Sequence, residues 1–233
     1  MTAIGIIGSN GFLGKSLCRI SKNYEYEITE ITKDTYEDYK SKKFNVLINA
    51  ATPSKKFWAF QNPYLDFQKT VCLTADITYN WNYEKLVQIS TISAEDYANH
   101  HPYAINKKSA EIISSYKNSL IVRLGALYGE GLNKGPLYDL LNSKQLFVDV
   151  KSQYNYISTD FVSEWIFQNF DRSDIVELGA YDTISLLDIA KNLHLKVDSS
   201  GRSEKIFSSK IEPGTPSAKD VLHFAKNYRN TSS

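Results

Sequence analysis

The chain has 233 residues, 42% hydrophobic and 23% charged, enough apolar side chain for one sizeable core with a small lobe and too much for a disordered chain. Lys and Arg total 27 against 26 Asp and Glu, a formal charge of +1, so nothing overall draws the chain to nucleic acid or an anionic membrane, and only a local basic patch is left as a route to either. Cys18 and Cys72 lack the spacing of a disulfide framework or a zinc site, and no basic leader or run of about 20 apolar residues occurs, so the expectation is a cytoplasmic protein with no metal and no membrane span.

Apolar runs bounded by turn residues predict strands at Thr2–Ile7, Tyr26–Thr32, Phe44–Asn49, Lys85–Ser90, Leu120–Leu124 and Ile175–Leu178. Helical stretches near 12–21, 63–80, 103–117, 160–170 and 185–193 fall between or after them, which is the order of an α/β protein. Val46-Leu47-Ile48 and Leu86-Val87-Gln88-Ile89 read as strands buried on both faces, as in a doubly wound parallel sheet with helices on each side. Only eleven residues separate Thr32 from Phe44, too few for a strand and a helix, so the third strand of such a sheet is expected to be missing or abbreviated. Ser199 to Ser217 carries turn signals around Lys205-Ile206-Phe207 and reads as a mobile loop, after which Asp220 caps a short last helix. The expected organisation over 1–233 is a single domain. Its core is about 1–130 and 155–185, and about 131–154 and 186–233 form a small C-terminal substrate lobe.

Gly8-Ser9-Asn10-Gly11-Phe12-Leu13-Gly14 lies between the first strand and the first helix, where backbone N–H groups and the helix dipole bind a pyrophosphate. The spacing is GxxGxxG and not GxGxxG, so the triplet by itself reads equally as a tight strand-to-helix turn. The second strand should end beside an adenosine ribose. Thr32 stands where an acid would select NAD(H), and Lys33 supplies a cation, which favours NADP(H) over NAD(H). The competing reading is a register that brings Glu30 or Asp34 to the ribose and leaves Lys33 as a solvated loop lysine.

Tyr103 and Lys107, four residues apart, share one face of a predicted helix that Pro102 starts. An ammonium near a phenol favours the phenolate, and such a pair can exchange a proton with a substrate oxygen. With 16 tyrosines in the chain an i,i+4 pair of this kind also arises by chance. Thr91 and Ser93 follow a strand at the carboxyl end of the sheet, where a hydroxyl can polarise a carbonyl or merely cap the loop.

In this order the residues resemble the extended branch of the short-chain dehydrogenase/reductase superfamily, the NAD(P)-dependent epimerases, dehydratases and reductases of nucleotide sugars. The resemblance extends to Asn49-Ala50-Ala51, Ser90-Thr91, Pro102-Tyr103-Ala104-Ile105-Asn106-Lys107 with Ala110-Glu111, and Arg123-Leu124-Gly125-Ala126-Leu127-Tyr128-Gly129. Later segments from Asn155, Glu177 and Ser185 are also similar. The resemblance implies a Rossmann fold, a nucleotide-sugar substrate and an enzyme in which Tyr103 exchanges the proton, Lys107 binds the nicotinamide ribose and Thr91 bonds the reacting oxygen. It places Gly8, Asn10, Gly11, Phe12, Leu13 and Gly14 along the pyrophosphate and Ala50 and Ala51 beside the adenosine. Ser93, a reserve for Thr91, and Arg123 are candidate substrate contacts.

Ile92-Ser93 stand where dehydrating relatives carry an acidic pair, and the substrate lobe is short. The pattern therefore looks most like an NADPH-dependent reductase of a 4-keto nucleotide sugar. An NAD-dependent 4-epimerase is the alternative, and a non-catalytic NADP-binding protein the second. His100-His101 and the aromatic residues Trp58, Phe60, Tyr154 and Tyr156 are further substrate-contact candidates against a bland reading as loop or core residues. Specificity is expected in Leu132–Val150 and after Ser199. Ile112 and Ile113 belong to the core or to a homodimer interface beside the Tyr103 helix.

Overall fold

The computed structural model describes residues 1–232, with side chains through Arg229. The chain divides into two compact units, one of Met1–Arg123 and Ser163–Val176, the other of Leu124–Val162 and Glu177–Ser233.

Six strands, β1 (Thr2–Ile7), β2 (Tyr26–Ile31), β3 (Phe44–Asn49), β4 (Tyr83–Thr91), β5 (Ser119–Leu124) and β9 (Ile175–Leu178), form one parallel sheet in the order β2-β1-β3-β4-β5-β9. The apolar runs explain the arrangement. Ile4, Ile6, Val46, Leu47, Ile48, Leu86, Val87 and Leu120 are all buried, as strands covered on both faces require. β4 is longer than expected because Tyr83 pairs with Phe44 and packs on the Phe44 and Trp81 cluster. β2 is shorter by one residue, since the Thr32 N–H turns away to the Thr35 hydroxyl at 3.0 Å.

No strand lies between β2 and β3, as the short connection required. Turns over residues 33–41 replace it and are tied to the body by side chains. The Tyr36 hydroxyl donates to Asp76 at 2.8 Å and accepts from the Trp81 indole at 3.0 Å, and Lys40 donates to Asp76 at 2.8 Å.

The sheet carries α1 (Phe12–Ile20) and α5 (Pro102–Ser114), with α7 (Thr159–Asn169) running in from the second unit. The single helix expected over 63–80 is continuous but mixed: α3 (Pro63–Phe67), a π turn (Gln68–Cys72) and α4 (Leu73–Asn80). A short α2 (Lys56–Gln61) precedes it, and a 3-10 segment (Ile92–Asn99) precedes α5. α5 stops at Ser114, earlier than expected, because the hydroxyls of Ser114 and Ser115 both donate to the Glu111 carbonyl.

β1 sits between β2 and β3, so the chain leaves it on one side and returns on the other. In open α/β sheets the crevice at this reversal, outside the carboxyl ends of the strands, is where ligands bind. The residues following β1, β3 and β4 therefore define the place to look for chemistry.

In the second unit, β6 (Leu127–Tyr128) pairs with β8 (Ile157–Ser158), and β10 (Ile184–Ser185), β7 (Gln153–Tyr154) and β11 (Lys205–Ile206) form a small sheet. Thus the segment read as a mobile loop contributes β11, with Lys205 opposite Gln153. α6 (Pro136–Leu141), α8 (Leu186–Asn192) and α9 (Val221–Ser232) complete it, the last longer than the sequence suggested. Among the described residues no helix is long and apolar enough to cross a membrane.

Candidate active site

The turn after β1 is built so that backbone, not side chain, faces the crevice. Gly8 has φ +84°, and a Cβ there would lie 2.7 Å from the Ala51 Cα. A Cβ on Gly14 would lie 2.0 Å from the Gly8 carbonyl oxygen, so α1 packs against this turn only because the residue is glycine. The Gly11 N–H donates to Gly8 O at 2.8 Å and the Gly8 N–H to Ile31 O at 2.8 Å, which fixes the loop to the end of β2. Asn10 and Gly11 are exposed. Phe12, Leu13 and Gly14 head α1, where N–H groups have no partner within the helix and the dipole favours an anion.

Ala50 and Ala51 line the same turn. The Ala50 N–H donates to Ile7 O at 3.0 Å, and Asn49, itself held by Gln88 at 2.9 Å, accepts from the Ala51 N–H at 3.2 Å. Thr32 follows Ile31, whose carbonyl receives Gly8 and Ser9, and its hydroxyl lies 3.3 Å from that of Thr35. Lys33, Asp34 and Glu30 are exposed. The structure thus gathers Gly8 to Gly14, Thr32, Ala50 and Ala51 around the carboxyl end of β1.

Thr91 ends β4 and Tyr103 begins α5. The Thr91 hydroxyl is near enough to the Tyr103 phenol to lower its pKa, and its Oγ1 accepts from the Ser93 N–H at 3.3 Å. Lys107 Nζ lies 5.6 Å from the Tyr103 ring centroid and donates to Thr52 Oγ1 at 2.6 Å. Both Tyr103 and Lys107 are buried. Thr91, Tyr103 and Lys107 therefore converge as the sequence order suggested.

The expected lowering of the phenol's pKa by Lys107 is not what the structure shows. Burial pushes the Tyr103 phenol well above its ordinary value; the nearby Thr91 hydroxyl opposes this, and the charge of Asp66 adds to it. The phenol therefore holds its proton more tightly than a free tyrosine does. His101 has a structural task, its Nδ1 accepting from the Tyr103 N–H at 3.2 Å as the N-cap of α5.

Three further groups of candidates are buried. Arg123 is not offered to a ligand: its Nε and Nη2 donate to the Glu111 carboxylate at 2.8 and 2.6 Å, and its Nη1 pairs with Glu95. Ser90 also donates to Glu111, at 2.6 Å, so this buried network ties β4, α5 and β5 together. Ser93 is buried, and its backbone N–H is the donor to Thr91 Oγ1. Tyr154 and Tyr156 are core residues, 2% and 3% exposed, their rings tilted at 37° with centroids 5.3 Å apart, and burial raises both phenols. Of the other aromatic candidates, Trp58 lies under Lys69 at 5.1 Å and Phe60 is exposed, 6.1 Å from the His101 ring.

Sequence reasoning missed Thr52, Asp66 and Asn106. Thr52 follows Ala51 directly and was within reach of the motif. Asp66, on α3, is buried and accepts from Asn106 Nδ2 at 2.8 Å, one residue before Lys107. Nothing local in the sequence marks that pair.

Strand order, glycine turn and crevice define a doubly wound protein of the Rossmann type. No family model and no curated protein matches the sequence. Solved structures match over nearly its whole length. A dTDP-4-dehydrorhamnose reductase from Clostridium acetobutylicum is 19% identical, with 98% of this chain and 99% of that chain covered and a TM-score of 0.79. The Bacillus anthracis dTDP-4-dehydrorhamnose reductase in complex with NADP is 16% identical, with 97% and 98% covered and a TM-score of 0.80. A UDP-glucose 4-epimerase from Thermotoga maritima with UDP-glucose is 12% identical, with 99% and 100% covered and a TM-score of 0.79. This chain has the fold of those nucleotide-sugar enzymes.

Proposed function

We propose that this protein is an NADPH-dependent reductase of a keto group on a nucleotide-linked sugar. The observation that carries the reading is the buried Tyr103 phenol, with Thr91 near it and the Lys107 ammonium 5.6 Å from its ring centroid, in the same unit as the glycine turn. The donor set suits a dinucleotide, since glycine at positions 8 and 14 lets backbone pack on backbone and leaves the exposed Asn10–Gly11 turn and the head of α1 to offer N–H groups to a pyrophosphate. Gly8, Asn10, Gly11, Phe12, Leu13 and Gly14 hold the pyrophosphate, Thr32 and Lys33 the adenosine ribose phosphate, Ala50 and Ala51 the adenosine side, and Lys107 the nicotinamide ribose. When bound, NADPH supplies the hydride.

The chain supplies the proton and the setting. Thr91 donates a hydrogen bond to the carbonyl oxygen as charge develops there. Tyr103 gives that oxygen its proton, and the Lys107 ammonium stabilises the phenolate left behind. The preference for NADPH over NADH rests on Thr32 and Lys33 at the end of β2. Two free cysteines, Cys18 and Cys72, support a reducing cytoplasmic setting. Ile112 and Tyr116, 66% and 72% exposed, with Tyr79 edge-on to Tyr116 at 5.5 Å, support a homodimer contact beside α5.

The fold likeness to 4-epimerases keeps that activity as the second reading. The test is turnover of a panel of 4-keto nucleotide sugars with NADPH carrying deuterium at the transferable position. A reductase places one deuterium on the product carbinol carbon per NADPH consumed. An epimerase interconverts sugars without consuming NADPH, and a protein that does neither contradicts both readings.

A further inference from the structure

Asp66 and Asn106 make a contact that no step above uses. Asp66 projects from α3 and is 0% exposed, and its Oδ2 accepts from Asn106 Nδ2 at 2.8 Å. Its other oxygen, Oδ1, has no hydrogen-bond partner among the described residues. A buried carboxylate with half of its acceptor capacity unused costs folding free energy, and an apolar residue of similar size would be cheaper. The helix carrying it is irregular at the next turn, where the π turn Gln68–Cys72 begins, and such turns inside α-helices frequently lie at functional sites.

The partner explains what the carboxylate does. Asn106 is 7% exposed and lies in α5 between the two residues of the proton-transfer pair, three after Tyr103 and one before Lys107. Lys107 donates to Thr52 at 2.6 Å, and the Tyr103 backbone N–H donates to His101 Nδ1 at 3.2 Å. The hydrogen bond from Asn106 to Asp66 therefore pins the first two turns of α5 against α3 between those two anchors. We propose that Asp66 is a positioning residue, acting through Asn106 to fix the turns of α5 that carry Tyr103 and Lys107.

This inference rests on the reductase reading, and its test separates the two. The variants are Asp66→Ala, Asp66→Asn, Asn106→Ala and the double alanine. For each we would measure NADPH affinity by fluorescence, kcat and KM for the keto sugar, the thermal midpoint and amide hydrogen exchange over 102–107. Asp66→Ala should lower kcat at least tenfold with KM for the sugar changed less than threefold, and should speed exchange over 102–107. Its midpoint should fall only modestly, because the stranding of the Asn106 amide is partly offset by removal of a carboxylate oxygen that had no partner. Asp66→Asn keeps an acceptor for Asn106 and should recover kcat to within threefold of wild type. The double alanine should be no slower than the worse single variant, as coupled partners require.

Wild-type kcat and exchange in Asp66→Ala overturn the proposal, as does an Asp66→Asn variant as slow as Asp66→Ala or a multiplicative double variant. A parallel fall in midpoint and kcat, with slow exchange retained over 102–107, overturns it in favour of a merely structural role. If the wild type reduces no keto sugar, the reductase reading fails by itself. NADPH affinity and exchange then decide the positioning role, with unchanged values in Asp66→Ala overturning it.

Discussion

Replacing Gly14 by alanine should weaken dinucleotide binding on the order of 100-fold, while Gly11→Ala, three residues away, should weaken it only slightly. The added Cβ at Gly14 would lie 2.0 Å from the Gly8 carbonyl oxygen and 2.9 Å from the Ser9 Cα, both backbone atoms. Cβ contacts below 3.0 Å essentially never occur, so the turn and α1 must separate by at least 1.0 Å. The retreat moves the Gly8 carbonyl, which accepts the Gly11 N–H at 2.8 Å, and with it the N–H groups that face the pyrophosphate. A misplacement of about 1 Å in a positioning element costs on the order of 100-fold, and overpacking of this kind costs about 1–3 kcal/mol of stability. At Gly11 the nearest contact would be 3.0 Å from the same oxygen, a few tenths of an ångström from comfort. The assay is NADPH fluorescence titration beside a urea unfolding curve, which separates lost affinity from lost fold. Gly14→Ala binding within threefold of wild type, or Gly11→Ala binding more weakly than Gly14→Ala, would refute the cradle.

Lys33→Ala should reduce the preference for NADPH over NADH about tenfold, the loss of one charge-assisted hydrogen bond, as read from the ratio of the two affinities; an unchanged ratio returns Lys33 to an ordinary loop lysine. Arg123→Ala should cost about 3–5 kcal/mol in urea unfolding, because it strands the buried Glu111 carboxylate, whereas a loss below about 1 kcal/mol would show the network to be slack. Stability should also fall with alkali. Tyr103 has a folded-state pKa raised above its unfolded value near 10, so the folded state holds its proton longer and the stabilisation present below pH 10 is lost as pH rises beyond it. Tyr103→Phe should therefore flatten the decline in unfolding free energy above pH 10 by up to about 1.4 kcal/mol per pH unit, and identical slopes would show the phenol to be open to water.

The sheet was legible because its strands are short apolar runs that only a doubly covered sheet accommodates. β1, β3 and β9 were placed to the residue, and the missing third strand followed from chain length alone. The convergence of Thr91, Tyr103 and Lys107 was legible because two of the three are one helical turn apart and the third ends a strand. What could not be read depends on contacts across the chain. Lys107 to Thr52 spans 55 positions and Asn106 to Asp66 spans 40, and neither has a periodic signature. Arg123 was misassigned because a cation near a site reads alike whether its carboxylate is in a ligand or, as here, in Glu111 twelve residues earlier. The phenol's pKa went the wrong way in sequence reasoning because spacing reveals the neighbouring lysine but not the burial that outweighs it.

The proton from Tyr103 is tested most directly by single-turnover reduction of a keto nucleotide sugar with the cofactor bound in advance. Tyr103→Phe should bind NADPH within threefold of wild type and transfer hydride at least 100-fold more slowly, the range of a lost general acid. A variant that reduces the sugar at the wild-type rate would contradict the assignment of the phenol as the proton donor.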